Sequence, residues 1–299
     1  MAPVARIGSL LVLGVVAGSA LFNLCAYAGA ARHRRRHPPA CAADEDERLP
    51  WPARTRAFAL ECAATALLAL ATPLALRRRR LRPLDPEDPR PPVVLLHGYA
   101  QHPANFAWLA HRLRRDGWRH LYTLAHTSVG GDIERSADRL GAALDRVRRA
   151  TGATRVDIVA HSMGGLVARA CIRARGHGSG VGRLITLGTP HQGTEIFPRF
   201  RLDPMVAQMR PGSPLLVRLA ADDPVPRIAD CISIYSADDA VVVPPSRAYY
   251  PGALNVEVRG LGHLSLLFSR RVYALVRENL DAERASAPAT AAGGAPWPR

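Results

Sequence analysis

Val156-Asp157-Ile158-Val159-Ala160-His161-Ser162-Met163-Gly164-Gly165 is the stretch on which the fold turns. Its first half is apolar and rich in β-branched residues, the pattern of a buried strand over Arg155–Ala160. Its second half opens a helix over Ser162–Arg175. A strand that turns at once into a helix places the residue at the apex in a strained, projecting position. Small neighbours are needed there, because strand and helix approach closely, and Ala160, Gly164 and Gly165 supply them. The helix start also aims backbone N–H groups and a positive dipole end at the apex. A plainer reading makes Ser162 a helix N-cap. The strand before it and the helix after it favour a nucleophile.

On either side of this turn the chain alternates strands and helices. Strands are expected at Pro92–Leu96, His120–Leu124, Arg183–Leu187, Ile232–Tyr235 and Asn255–Arg259, and helices at Asn105–Arg115, Asp132–Ala150 and Leu264–Leu280. Strands that are apolar throughout and separated by helices predict an α/β fold with a parallel sheet of about six strands, covered on both faces. The exception to the alternation is a Pro-rich insertion, His191–Ile228, with two short helical patches.

These elements resemble the α/β-hydrolase superfamily. The turn at Ser162 matches its G-x-S-x-G nucleophile elbow, with Ala160 in place of the first glycine. Val93-Val94-Leu95-Leu96-His97-Gly98-Tyr99 resembles the family's oxyanion strand and its His-Gly turn. The resemblance implies Tyr99 and Met163 as the two backbone donors of an oxyanion hole, with His97 as an organiser of the loop. Chain order in the family is Ser, acid, His. It implies His263, on the glycine-flanked turn Gly260-Leu261-Gly262-His263, as the base. It implies an acid in Ser236-Ala237-Asp238-Asp239-Ala240-Val241-Val242. The family's D-x-x-V pattern fits Asp239 best and Asp238 almost as well. Leu187-Gly188-Thr189-Pro190-His191-Gln192-Gly193 resembles the segment that introduces the substrate-covering lid in lipases, which makes His191 a structural residue and His191–Ile228 either a mobile lid or a segment packed permanently as a wall of the pocket. The match runs from about Pro92 to Leu280 and is nearest to the small bacterial lipases.

Residues 1–84 have a different character. Ile7–Ala31 is an uncharged run of about 25 residues, long enough to span a bilayer. An uncleaved anchor is preferred over a signal peptide, although Ala26-Tyr27-Ala28 offers a cleavage pattern. A second run, Ala57–Leu76, contains Glu61 and Pro73; it reads either as a second span or as an interfacial helix. Each run ends in a cluster of arginines, and the two clusters imply opposite orientations. Residues 282–299 are Ala/Pro/Gly-rich and read as a disordered tail.

The formal net charge is +15, and all 40 basic residues are Arg. Such a charge raises the question of nucleic acid. No nucleic-acid motif accompanies it, and the Arg, Ala and Pro usage is that of a GC-rich genome. The five cysteines are widely spaced with no CxxC pair, so neither a disulfide framework nor a zinc site is expected.

The expectation is therefore a bacterial inner-membrane serine hydrolase. Residues 1–84 form the anchor region, residues 90–281 the catalytic domain, and the substrate is a lipid or acyl ester. Ser162 attacks, His263 is the base and Asp239 orients it. No metal and no organic cofactor is called for. Acyl transfer or thioester cleavage by the same triad, and a non-catalytic membrane scaffold, are the alternatives.

Overall fold

A computed structural model of the chain describes residues 2–37, 50–70, 85, 88, 90–196, 203–221 and 223–282. Two helices come first, α1 (Ala2–Arg36) and α2 (Trp51–Leu70). The α/β domain then runs β1 (Val93–Leu96), α3 (Ala107–Arg115), β2 (Leu121–Leu124), α4 (Ile133–Thr151), β3 (Val156–His161), α5 (Met163–Arg175) and β4 (Val181–Leu187). Three short helices follow, α6 (Pro204–Gln208), α7 (Pro214–Ala220) and α8 (Val225–Ile228), and then β5 (Asp230–Ser236), β6 (Leu254–Val258) and α9 (Arg270–Asp281). The six strands form one wholly parallel sheet in the order β2-β1-β3-β4-β5-β6.

Pleating explains why these strands read as continuously apolar. Val94, Leu96, Ile158, Ala160 and Leu184 face one layer, with α4, α5 and the insertion helices. Val93, Leu95, Val159, Ile185 and Leu187 face the other, with α3, α9 and Leu68 of α2. A strand buried on both faces has no polar position to alternate with. Local chemistry sets the helix limits. The Asp132 side chain accepts from the Arg135 N–H at the start of α4, and Gly152, left-handed at φ 76°, ends it. The helix expected over Leu264–Leu280 is two pieces, a 3₁₀ turn at Ser265–Phe268 and then α9, restarted by the Ser269 side chain accepting from the Val272 N–H.

Two regions differ in character from their sequence signatures. By length and composition, α1 at Leu13–Arg36 is the helix among the described residues that is apolar enough to cross a membrane. The described part of the second run lies in α2, which starts at Trp51, six residues before the run itself. Ala57, Glu61, Ala64 and Leu68 make a buried face on α2. The Asn23 side chain of α1 donates to Thr65 Oγ1 of α2 at 2.9 Å, and Tyr27 meets Phe58 edge-on at 5.3 Å. Ala26 and Ala30 pack on Ala240 and Val243 of the α/β domain. Helix α2 is thus a packed element of the domain wall, because an acid in an Ala/Leu helix has found partners inside the protein. Residues 71–84, 197–202 and 283–299 lie outside the described residues, and with them the arginines at 77–80, Phe197 and the tail.

The insertion is the second. Met205, Val206, Met209, Leu215, Leu216 and Leu219 are buried in the same cluster as α4 and α5. Ile133 N–H donates to Gln208 Oε1, and Gln208 donates to Asp132. Segments that open locally have few buried apolar contacts. Residues 203–221 are therefore expected to resist limited proteolysis equally with and without detergent. Cleavage there that detergent accelerates would show that the helices lift off the core.

Candidate functional site

Strands β1 and β3 are neighbours in register, Leu96 beside Ala160. The chain runs outward from β1 to β2 and returns to β3 on the other side of β1. Ligands bind at the carboxyl ends of strands where such a reversal occurs. The turn after β1 and the turn after β3 meet there. A methyl group at Gly98 would stand 2.7 Å from Ser162 Cβ, so the His-Gly turn passes directly against the serine.

Ser162 has φ 54° and ψ −130°. A non-glycine residue in that region costs about 1–3 kcal/mol and persists only where its surroundings enforce it. Here Ser162 N–H donates to the Leu187 carbonyl at 2.9 Å, and its own carbonyl accepts from Thr189 Oγ1 at 2.8 Å and from Gly165 N–H at 3.0 Å. None of these bonds uses the hydroxyl, and the Ser162 side chain makes no cap bond to the helix, as the N-cap reading would require. Met163 is the first residue of α5, where an N–H has no acceptor within the helix.

Beside it, the turn after β1 is braced from several sides. Gly98 N–H donates to Gln101 Oε1 at 2.9 Å, and Ala100 N–H to the Ser128 carbonyl. The Tyr99 hydroxyl donates to Asp203 Oδ2 at 2.9 Å, the residue that caps α6. The His97 ring stacks on His126 at 4.3 Å, and His126 Nε2 donates to the His97 carbonyl. Burial, with His126 beside it, pushes His97 down to about 3, so it is a neutral packing element of the loop.

The turns after β5 and β6 bring in an acid and a base. His263 Nδ1–H donates to Asp239 Oδ2 at 2.7 Å, and both side chains are buried. Asp239 Oδ1 accepts from Val241 N–H at 2.7 Å and Val242 N–H at 2.9 Å. Three donors converging on one side chain suit a carboxylate. Asp238 points elsewhere: its Oδ2 accepts from Gly260 N–H at 2.7 Å and braces the base of the histidine turn. Bonding Nδ1–H to a carboxylate leaves Nε2 as the proton acceptor. Burial opposes a charge on His263, but the Asp239 carboxylate and its hydrogen bond, with Glu61 behind, outweigh it and raise the imidazole pKa.

Two residues that the sequence does not mark hold the histidine's main chain. His161 Nε2–H donates to the His263 carbonyl at 3.0 Å. Glu61 accepts from the N–H groups of Leu264 and Ser265. The one available signal for Glu61 was a lone acid inside an apolar helix, which must find partners when buried. His191 lies outside this constellation. It stacks on Tyr250 at 4.2 Å and receives Arg169, whose guanidinium pairs with Asp223 at 2.6 Å. Among the described residues, His33, His37 and Glu195 could together reach a metal ion. Glu195 is there paired with Arg247, and none of the three belongs to the Ser162 site.

Sheet order, elbow and the turns after β1, β3, β5 and β6 define the α/β-hydrolase fold. Solved structures agree. Bacillus licheniformis lipase BlEst2 in mature form superposes with a TM-score of 0.57 at 17% identity, over 68% of this chain and 96% of that one. Its propeptide form gives 0.59 at 19% identity, over 72% and 55%. Aspergillus fumigatus lipase B gives 0.57 at 15% identity, over 65% and 53%, so the chain spans about half the length of these last two. Within that fold the chain belongs to the family described as a domain of unknown function, DUF7379, whose model matches residues 73–233.

Proposed function

We propose that this protein is a membrane-anchored serine hydrolase that cleaves carboxylic esters of lipid or acyl type. The observation that carries it is the buried Asp239–His263 pair, 2.7 Å apart, on turns beside a serine held at φ 54°. Ser162 Oγ attacks the ester carbonyl while His263 Nε2 takes its proton. Asp239 holds the tautomer and stabilises the imidazolium that forms. The Tyr99 and Met163 N–H groups receive the developing oxyanion, each such donor being worth about 3–4 kcal/mol. His263 then returns the proton to the leaving alcohol, the alcohol departs, and water attacks the acyl-enzyme by the same route. The fold relatives named as lipases support the class of reaction.

The anchor reading rests on α1. Asn23, Ala26 and Ala30 are taken up by α2 and the domain, which leaves Ala2–Phe22 for the bilayer, a helix of about 32 Å at 1.5 Å per residue. Leu13, Val16, Leu21 and Phe22 are exposed along it, as lipid-facing residues would be. In this reading the Asp239 turn lies close to the membrane surface, where an ester with an apolar chain is delivered.

A fluorophosphonate probe and a chain-length series of p-nitrophenyl esters test the proposal. The probe is expected to label the wild-type protein and not Ser162→Ala. Since His263 must be neutral to act as base and its pKa is raised, the rate is expected to fall as pH drops through a midpoint above the ordinary value of about 6.5. A protein that neither labels nor turns over any ester of the series is not this hydrolase.

A further inference from the structure

We propose that Glu61, on the N-terminal helix α2, is a positioning residue for His263, so that the N-terminal helix pair completes the catalytic site as well as anchoring it. The proposal deepens the serine-hydrolase reading and rests on it.

Glu61 is 2% exposed and is the one acidic residue of α2, set in its Ala/Leu-rich stretch. A buried carboxylate is tolerated only where hydrogen bonds replace its water. Its partners are the two residues that follow His263. Oε1 accepts from Leu264 N–H at 2.6 Å and Oε2 from Ser265 N–H at 2.8 Å. The His263 carbonyl is held from the opposite side by His161. The peptide plane that follows the catalytic histidine is thus held at both edges, its carbonyl by β3 and its N–H by α2, and the next N–H is held by α2 as well. With the main chain after it pinned, the imidazole is oriented by Asp239.

The approach of α2 is so close that it dictates a neighbouring residue. A Cβ at Gly262 would stand 2.4 Å from Glu61 Oε2. A side chain at Gly262 would have to displace the Glu61 carboxylate from the two N–H groups it accepts, so the second glycine of the Gly-x-Gly-His pattern leaves room for a helix about 200 residues away. The arm that carries Glu61 is itself held. Asn23 bonds Thr65 one turn further on, Phe58 lies against Tyr27, and Leu68 sits in the core beneath the sheet.

Charge adds a second consequence. The ionisable groups facing His263 are Asp239 from the β5 turn, His161 from β3 and Glu61 from α2. Those facing Glu61, besides His263, are Tyr27 of α1, Cys62 beside it on α2, and Asp239. Asp238 is turned to Gly260. Burial raises the Glu61 pKa, and the Leu264 and Ser265 N–H groups and the charge on His263 work against that rise. With each oxygen accepting an N–H bond the group is matched to a carboxylate, and that anion favours the imidazolium that forms when His263 takes the serine proton. Glutamine there removes the charge. It also turns an amide NH₂ toward one of two N–H donors, so one of the two bonds is lost.

The test is the second-order rate of fluorophosphonate labelling of the full-length protein in detergent, followed across pH for wild type, Glu61→Gln and Glu61→Asp, with thermal unfolding of each. Glu61→Gln is expected to stay folded, to label roughly 10- to 100-fold more slowly, as for a misplaced catalytic group, and to move the acid-limb midpoint to lower pH. The downward shift follows because the removed anion had raised the His263 pKa. Glu61→Asp, which keeps the charge but withdraws it by one methylene, is expected to restore most of the midpoint and only part of the rate. Wild-type rate and midpoint in a folded Glu61→Gln would overturn the proposal, as would a rate loss matched by an equal loss of folded protein. Should Glu61→Gln fail to fold, a Glu61→Asp protein with wild-type rate and midpoint overturns it, and a slower one supports it. Failure of the hydrolase reading has a different signature, since the wild-type protein itself would not label.

Discussion

Ser162→Ala is expected to lower ester turnover by up to about 10⁶-fold, the scale seen when the nucleophile is removed from a coupled triad, while the melting temperature stays near that of wild type. The structure separates the two effects. The bonds that hold residue 162 in place are made by its backbone, to Leu187, Thr189 and Gly165, and alanine retains all of them. What alanine loses is the hydroxyl. A positive φ is only moderately harder for alanine than for serine, and the surrounding turn enforces it. Turnover at more than a few per cent of wild type, measured on protein free of contaminating esterase, would remove Ser162 from the mechanism.

Asp239→Asn should be the next most damaging change, at about 10⁴-fold in turnover by comparison with the same substitution in a triad of this kind. An amide at this position can present its NH₂ to His263 Nδ1. That favours the tautomer in which Nε2 carries the proton and cannot act as base. The N–H groups of Val241 and Val242 compete for the remaining oxygen. Asp238→Asn is expected to be mild in comparison, since its one recorded carboxylate bond, from Gly260 N–H, can be accepted by an amide oxygen. A kinetic comparison of the two asparagine variants decides between adjacent residues that are chemically identical. If Asp238→Asn proved the crippling change, the acid would be assigned one residue too late.

That pair shows where the sequence stops being informative. Both aspartates precede the Val-Val stretch, and pattern matching separates them only weakly. A one-residue step in a turn reverses the direction of a side chain, and that direction depends on where β6 delivers His263. The insertion is a similar case. Its apolar residues, Met205 to Leu219, are visible as helical patches, but composition cannot say whether they face a movable cavity or the core. In the structure they join the cluster beneath α4 and α5.

Local sequence was sufficient for the parts whose causes are local. The six strands follow from short β-branched runs, the caps from Asp132 and Gly152, and the elbow from small residues around Ser162. The chain order of serine, acid and histidine could also be read, because each stands on the turn after a recognisable strand. Tertiary structure alone decided which carboxylates reach His263. Asp239 comes from 24 residues before it and Glu61 from about 200 before, across a helix that hydropathy by itself suggests for the membrane. Hydropathy reports that a segment avoids water but not what replaces the water. For α1 the answer proposed above is lipid over most of its length. For α2 it is the wall of the α/β domain, because the two N–H groups after the histidine complete the hydrogen bonding of its buried carboxylate.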